Sequence, residues 1–218
     1  GIIFAMEEEL VELKKEIEIT SEEKIYDLTF YKGTLESVEC ILVMSGVGKV
    51  NAARTAQILI DKMNVSFVFN IGVAGGIASD LQVGDIVIGE KLVQHDFDIT
   101  AFNHEKGYIP NVGIFINSDC NLVKLAQDNI SGAVSGIIAS GDIFCTEYMM
   151  SEKINKKFNA LCVEMEGASI AQVCYLSGVP FLVLRSISDV PNNDNVITYE
   201  EFLKSSSVVI AEAMKKII

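Results

Sequence analysis

The sequence predicts an α/β fold, on three observations. Short β-rich runs alternate with runs of helical period, as a strand–helix–strand chain requires. Several strand-like runs, such as Val65–Ile71 and Phe181–Leu184, are dominated by apolar residues. A sheet buried on both faces reads that way, whereas a sheet with one wet face would alternate. Half of the 218 residues are hydrophobic and 22% are charged. That is enough apolar material for one large core and too much for a disordered chain. No linker, repeat or low-complexity tract interrupts residues 1–218, and proline occurs only at Pro110, Pro180 and Pro191. The whole chain is therefore expected to form one domain.

The elements follow in order. A strand at Gly1–Ala5 leads into a helix at Met6–Glu18 with Leu10, Leu13 and Ile17 on one face. Tyr26–Leu35 alternates and Val38–Met44 is apolar, which predicts a hairpin through Glu36–Ser37. Ser45-Gly46-Val47-Gly48-Lys49 is a turn that opens a helix at Val50–Met63. A strand at Val65–Ile71 runs into a glycine-rich turn at Gly72–Gly76, and a further strand spans Asp85–Val93. Gln94–Gly113 is a long irregular segment, a length that marks functional or interfacial loops. A helix at Ser118–Asn129, a strand at Ala133–Ser140 and a short helix near Glu147–Asn155 come next. A strand at Cys162–Met165, a helix at Gly167–Leu176 and a strand at Phe181–Ile187 complete the alternation. The last helix starts near Thr198, where Thr198-Tyr199-Glu200-Glu201 is a capping-box pattern.

Charge and composition narrow the function. Seventeen Lys and Arg face thirty Asp and Glu, a formal net charge of −13. Such a chain repels phosphate backbones and anionic membranes, so neither nucleic acid nor membrane is an expected partner. No apolar run reaches the roughly eighteen residues of a membrane span. The N-terminus has too short an apolar run for a signal peptide, and its start at Gly1 implies that a few leading residues precede this numbering. The five cysteines are odd in number, lie in apolar contexts and form no C-x-x-C pair. They read as reduced thiols of a cytoplasmic protein. With only His95 and His104 and no Cys/His ligand spacing, neither a zinc site nor a cofactor is expected.

The two glycine turns are not nucleotide fingerprints. Ser45–Gly48 lacks the third glycine of G-x-G-x-x-G, and no P-loop pattern exists. Either turn alone is what a tight β–α connection needs. The acids are more informative. Glu7, Glu8 and Glu9 stand where the first strand meets a helix, and the helix dipole explains one acid there without requiring three. Glu164 and Glu166 alternate before a helix, so a strand reaching Met165 would point both to one side. Ligands bind at such C-terminal strand ends in open α/β sheets. Arg185 and Asp189 end another apolar strand, where unpartnered charge would be costly. Several carboxylates without a metal pattern suit glycosidic cleavage. One acid protonates the leaving group, another activates water, and negative charge stabilises an oxocarbenium-like state.

Six segments carry a resemblance. They are Ala5-Met6-Glu7-Glu8-Glu9, Ser45-Gly46-Val47-Gly48-Lys49-Val50, Ala74-Gly75-Gly76, Ser140-Gly141-Asp142-Ile143-Phe144, Val163-Glu164-Met165-Glu166 and Arg185-Ser186-Ile187-Ser188-Asp189. In this order they resemble the bacterial 5′-methylthioadenosine/S-adenosylhomocysteine nucleosidases, of the purine and uridine nucleoside phosphorylase superfamily. The resemblance implies a three-layer α/β/α sandwich around a twisted mixed sheet, and a homodimer. It implies irreversible hydrolysis of 5′-methylthioadenosine, S-adenosylhomocysteine and also 5′-deoxyadenosine, releasing adenine, as in methionine salvage. Glu9 would activate water, and Asp189, starting protonated and oriented by Ser188, would protonate the purine N7. Glu166 would hold the ribose hydroxyls over Met165. Phe144 would stack on adenine, whose edge the Cys145 backbone would read. Glu164 and Arg185 would form a supporting ion pair. Met6, Val47 and Tyr199 would line the alkylthio pocket, Val73 would lie near the attacking water, and Gly75 would also contact the substrate. Phe102 and Pro110 would reach into the partner subunit's site. His95-Asp96-x-Asp98 would serve the long loop and the interface.

Two positions depart from the family pattern: Val73 stands where Ser is common, and Tyr199 where Phe is more usual. Other readings remain open. A phosphorylase would need arginines for phosphate, but those places hold Asn70 and the acids of Met6–Glu9. An aminofutalosine nucleosidase would share the adenine and ribose. A non-catalytic nucleoside-binding or storage protein would be expected to lack Glu9 or Asp189, and both are present.

Overall fold

In the computed structural model, residues 1–145, 148–190 and 199–218 are described, the side chains of 199–201 excepted. Strand β1 (Ile2–Phe4) leads through Ala5 and Met6 into helix α1 (Glu7–Lys14). The three-stranded meander β2 (Glu18–Ile25), β3 (Leu28–Leu35) and β4 (Val38–Met44) follows, then α2 (Lys49–Met63). The β3–β4 hairpin turns at Glu36 and Ser37, both at positive φ, as a two-residue primed turn demands. Then come β5 (Val68–Gly76), β6 (Ile86–Gln94), a short 3₁₀ turn at Thr100–Phe102, β7 (Ile116–Asn117) and α3 (Cys120–Asn129). The remainder is β8 (Val134–Ser140), α4 (Tyr148–Phe158), β9 (Ala160–Glu164), α5 (Gly167–Ser177), β10 (Phe181–Asp189) and α6 (Tyr199–Lys215).

The sheet is mixed. Its order is β10-β6-β8-β9-β5-β1-β4-β3-β2, with β7 on the edge of β6. β10 also pairs with β5 in parallel, Phe181 opposite Val68 through Asp189 opposite Gly75. That pairing closes β5, β10, β6, β8 and β9 into a five-stranded ring, from which the other strands extend. Along β1, β5 and β10 side chains divide with period two between two apolar clusters, while a third, smaller one gathers Val93, Ala139 and Val163 against α4. Ile3, Val68 and Val183 join residues of α2 and α5 in one core. Ile2, Phe69, Leu182 and Leu184 join residues of α1, α3 and α6 in the other. Consecutive residues of one strand thus serve opposite cores, which is why these strands read as continuous apolar runs. The result is the expected three-layer α/β/α arrangement. Among the described residues no helix is long and apolar enough to cross a membrane.

Three expectations need correction. The first helix stops at Lys14, and residues 18–25 are a strand. That strand is exposed along almost its whole length, so it has no apolar face whose alternation could reveal it. Gly72–Gly76 is not a turn but the second half of β5, its glycines admitting neighbours at close range. Glu166 lies beyond the end of β9, so period two does not relate it to Glu164. The capping position Thr198 and the helix start at Glu147 fall outside the described residues.

Candidate active site

Glu9 occupies the third position of α1 and turns its carboxylate back under the helix start. Its Oε2 accepts the Ala5 and Met6 N–H groups at 2.9 and 3.0 Å, and its Oε1 accepts the Val73 N–H at 2.9 Å. The bond to Met6 is the Glu half of a capping box. β5 can pass this close because residue 72 is glycine: a Cβ there would fall inside the Glu9 carboxylate. Glu9 is only 2% exposed. Burial raises its pKa, against the opposing pull of Arg185 and the three N–H groups. Glu7 and Glu8 are exposed, so one acid of the three is singled out.

Beneath the cleft lies a buried ion pair. Arg185 Nη2 meets Glu164 Oε2 at 2.5 Å, both side chains 2% exposed. Arg185 also donates to Asn70 Oδ1 and to the Leu184 carbonyl. Glu164 is further satisfied by the Glu166 and Gly167 N–H groups and by the Ser140 hydroxyl. A buried ion pair is tolerated when the remaining lone pairs are satisfied, as here. Glu166 caps α5 from non-helical backbone and accepts the Gly48 N–H at 2.8 Å. Burial, and then the Glu164 charge, push Glu166 up to about 7. Gly48 has φ of 100°, a conformation that favours glycine and aims its N–H at the acid.

At the opposite wall β10 ends in Ser188 and Asp189. The Ser188 hydroxyl donates to Asp189 Oδ1 at 2.8 Å, and Gly75 of β5 passes beside the carboxylate. The remaining wall is the loop after β8. There Phe144 is 60% exposed, far too open for a core aromatic. Cys145 is half-buried, and burial raises its thiol pKa, which argues against a nucleophile.

These groups surround one cleft, open to solvent on one side. Of the residues expected from the sequence, Glu9, Glu164, Glu166, Ser188 and Asp189 supply its polar lining. Met6, Val47, Val73, Gly75, Phe144, Cys145 and Met165 supply the rest. Arg185 supports Glu164 without lining the cleft. Phe102 and Pro110 do not line it either; both are exposed on the segment after β6. The Tyr199 side chain lies outside the described residues. Sequence reasoning missed Ala5, Ala74, Ile143 and Val163 as lining. Small apolar residues in strands and loops carry no signal that separates wall from core. Among the described residues no group of three or more His, Cys, Asp or Glu could hold a metal ion.

The described geometry can hold a neutral polar ligand between carboxylates, one of them fixed entirely by backbone N–H groups. Comparison with known proteins agrees in kind. The family model described as the phosphorylase superfamily matches residues 1–218. The chain is 40% identical over 226 residues to a 5′-methylthioadenosine/S-adenosylhomocysteine nucleosidase of Staphylococcus carnosus, covering 100% of this chain and 99% of that one. Among solved structures, a nucleosidase of the same description from Helicobacter pylori superposes with TM-score 0.94 at 36% identity, covering 100% of this chain and 96% of the other. A futalosine hydrolase of Helicobacter pylori gives TM-score 0.94 and 36% identity, covering 100% and 95%.

Proposed function

We propose that this chain, which belongs to the 5′-methylthioadenosine/S-adenosylhomocysteine nucleosidase family of the phosphorylase superfamily, hydrolyses the N-glycosidic bond of 5′-methylthioadenosine and S-adenosylhomocysteine within a single domain spanning residues 1–218. The observation that carries the reading is the buried Glu9 carboxylate in the same cleft as the Ser188–Asp189 pair. In this reading Glu9 takes a proton from the attacking water, and its raised pKa brings it nearer to neutral pH, where a general base works best. Asp189, oriented by Ser188, delivers a proton to the adenine N7, so that adenine leaves neutral. Glu166 holds the ribose hydroxyls, with Met165 under the sugar, and Phe144 stacks on the base. The carboxylate lining favours positive charge on the sugar as the bond breaks. In a homodimer, the exposed Phe102 and Pro110 close the partner's cleft.

The similarity to a futalosine hydrolase favours a second reading. Adenine and ribose are then held in the same way, and only the group at the 5′ end differs. The test follows adenine release from 5′-methylthioadenosine, S-adenosylhomocysteine and aminofutalosine, with and without phosphate. Release from the first two without phosphate, with free sugar as product, supports the proposal. Release from aminofutalosine alone selects the second reading. Release only with phosphate, giving a sugar 1-phosphate, overturns both.

A further inference from the structure

The His95–Asp98 segment plays no part in the chemistry above, yet Asp96 sits in a closed ring of bonds. Asp96 Oδ1 accepts the Lys49 ammonium at 2.7 Å, and Asp96 Oδ2 accepts the Asp142 N–H at 2.9 Å. Asp142 Oδ1 in turn accepts the Lys49 N–H at 2.8 Å. The ring joins three places in the fold: the start of α2, the residues just past β6, and the loop after β8. Lys49 also donates to Gln94 Oε1, and Gln94 donates to Gln172 of α5. The Lys49 and Asp96 side chains are only 17% and 16% exposed, so this is not a freely solvated pair. Burial alone would raise the Asp96 pKa, but Lys49 and the Asp142 amide hold it below its ordinary value. His95 lies beneath, its ring so close to Gly141 that a Cβ there would overlap it.

The two cleft walls flank this ring. Gly48, one residue before Lys49, holds Glu166 through its N–H. Phe144 follows Asp142 by two residues. We infer that Lys49, Asp96 and Asp142 are positioning residues, a clamp that fixes the aromatic base-stacking wall relative to the acid that holds the ribose. The inference rests on the nucleoside reading of the cleft. Glu9 and Asp189 stand on α1 and β10, outside the ring. Opening the clamp therefore lowers the fraction of protein ready to bind, which raises the apparent Kd by that fraction and leaves the chemistry of the bound state largely intact.

The test uses Asp96→Ala, Asp142→Ala, the double variant and Asp96→Asn. Each single Ala change is expected to raise KM for 5′-methylthioadenosine about tenfold, with kcat within about threefold of the parent. Because both residues act in one ring, the double variant should be no more than about twofold worse than either single one. Amide hydrogen exchange at residues 141–145 of the substrate-free protein should speed up in Asp96→Ala. Asp96→Asn, which keeps one acceptor oxygen, should fall between it and the parent. Unchanged KM, losses that multiply in the double variant, or unchanged exchange would each overturn the clamp. If the parent protein releases no adenine, the functional reading falls and exchange alone decides the clamp. If Asp96→Ala does not fold, Asp96→Asn decides it by the same readouts.

Discussion

Replacing Glu9 by Gln changes almost no volume, so its effects come from hydrogen bonding and charge. All three partners of the Glu9 carboxylate are donors: Val73 N–H on one oxygen, Ala5 and Met6 N–H on the other. A glutamine must turn its NH₂ toward one of these sets. At least one buried backbone donor then loses its acceptor, at a cost of about 1–3 kcal/mol. The attraction to Arg185 is lost as well. Against this, the amide escapes the burial penalty that raises Glu9. The net expectation is a loss of about 1–3 kcal/mol, or roughly 2–12 °C in Tm for a chain of this size. Turnover should fall at least about a hundredfold, because the amide cannot take a proton from water. Thermal unfolding and adenine release, measured on the same preparation, check both parts. Turnover within about tenfold of the parent would remove Glu9 as the base whatever the stability shows. An unchanged Tm would refute the argument from its three donors.

Asp189→Asn should cut turnover at least about a hundredfold with KM little changed, and near-parent turnover by the same assay would end its role as proton donor. Gly72→Ala places a methyl against the Glu9 carboxylate from within a strand, and should cost about 1–3 kcal/mol in urea unfolding together with most activity; a stable, active variant would contradict the close approach. Glu166, raised from 4.5 to about 7, keeps its proton longer in the folded than in the unfolded chain, so its contribution to stability is fully present below about pH 4.5 and is lost as pH rises to about 7. Glu166→Gln should therefore flatten that fall, gaining stability relative to the parent at pH 8 over pH 5; a difference constant with pH would refute it.

What the sequence revealed and what it hid divide along the range of the interactions. Glu9 was legible as one of three acids at a helix start, and its selection needed only the strand that passes over it at Gly72. Glu164 and Glu166 were found for a reason that does not hold. The strand ends at Glu164, and the two acids come together because Glu166 opens the next helix and bonds to Gly48, 118 residues away in sequence. The glycines of β5 were read as a turn because glycine breaks local structure. Their cause is tertiary: Glu9 and Asp189 press against Gly72 and Gly75. The pairing of β10 with β5 closes the ring across more than a hundred residues, and no local pattern encodes such a register. Strand β2 was invisible because the meander leaves it exposed along almost its whole length.

The choice of nucleophile follows from where the positive charge is held. The chain has two arginines. Arg54 is on α2, paired with Asp27 away from the cleft. Arg185 lies under the cleft floor, with Glu164 and Asn70 as its partners. To meet a phosphate it would have to leave the Glu164 carboxylate buried without its counter-ion, a change that costs about 3–5 kcal/mol in other proteins. The lining above it carries Glu164 and Glu9, the carboxylate that takes the water's proton in the proposed reading. A dianion entering there would meet like charge at close range in a partly desolvated site, where such repulsion is least screened. Water brings no charge and needs only an acceptor for its proton, the role proposed for Glu9. The same arginine that would serve phosphate in an open site serves here to keep the acids of a hydrolytic site tolerable in the interior.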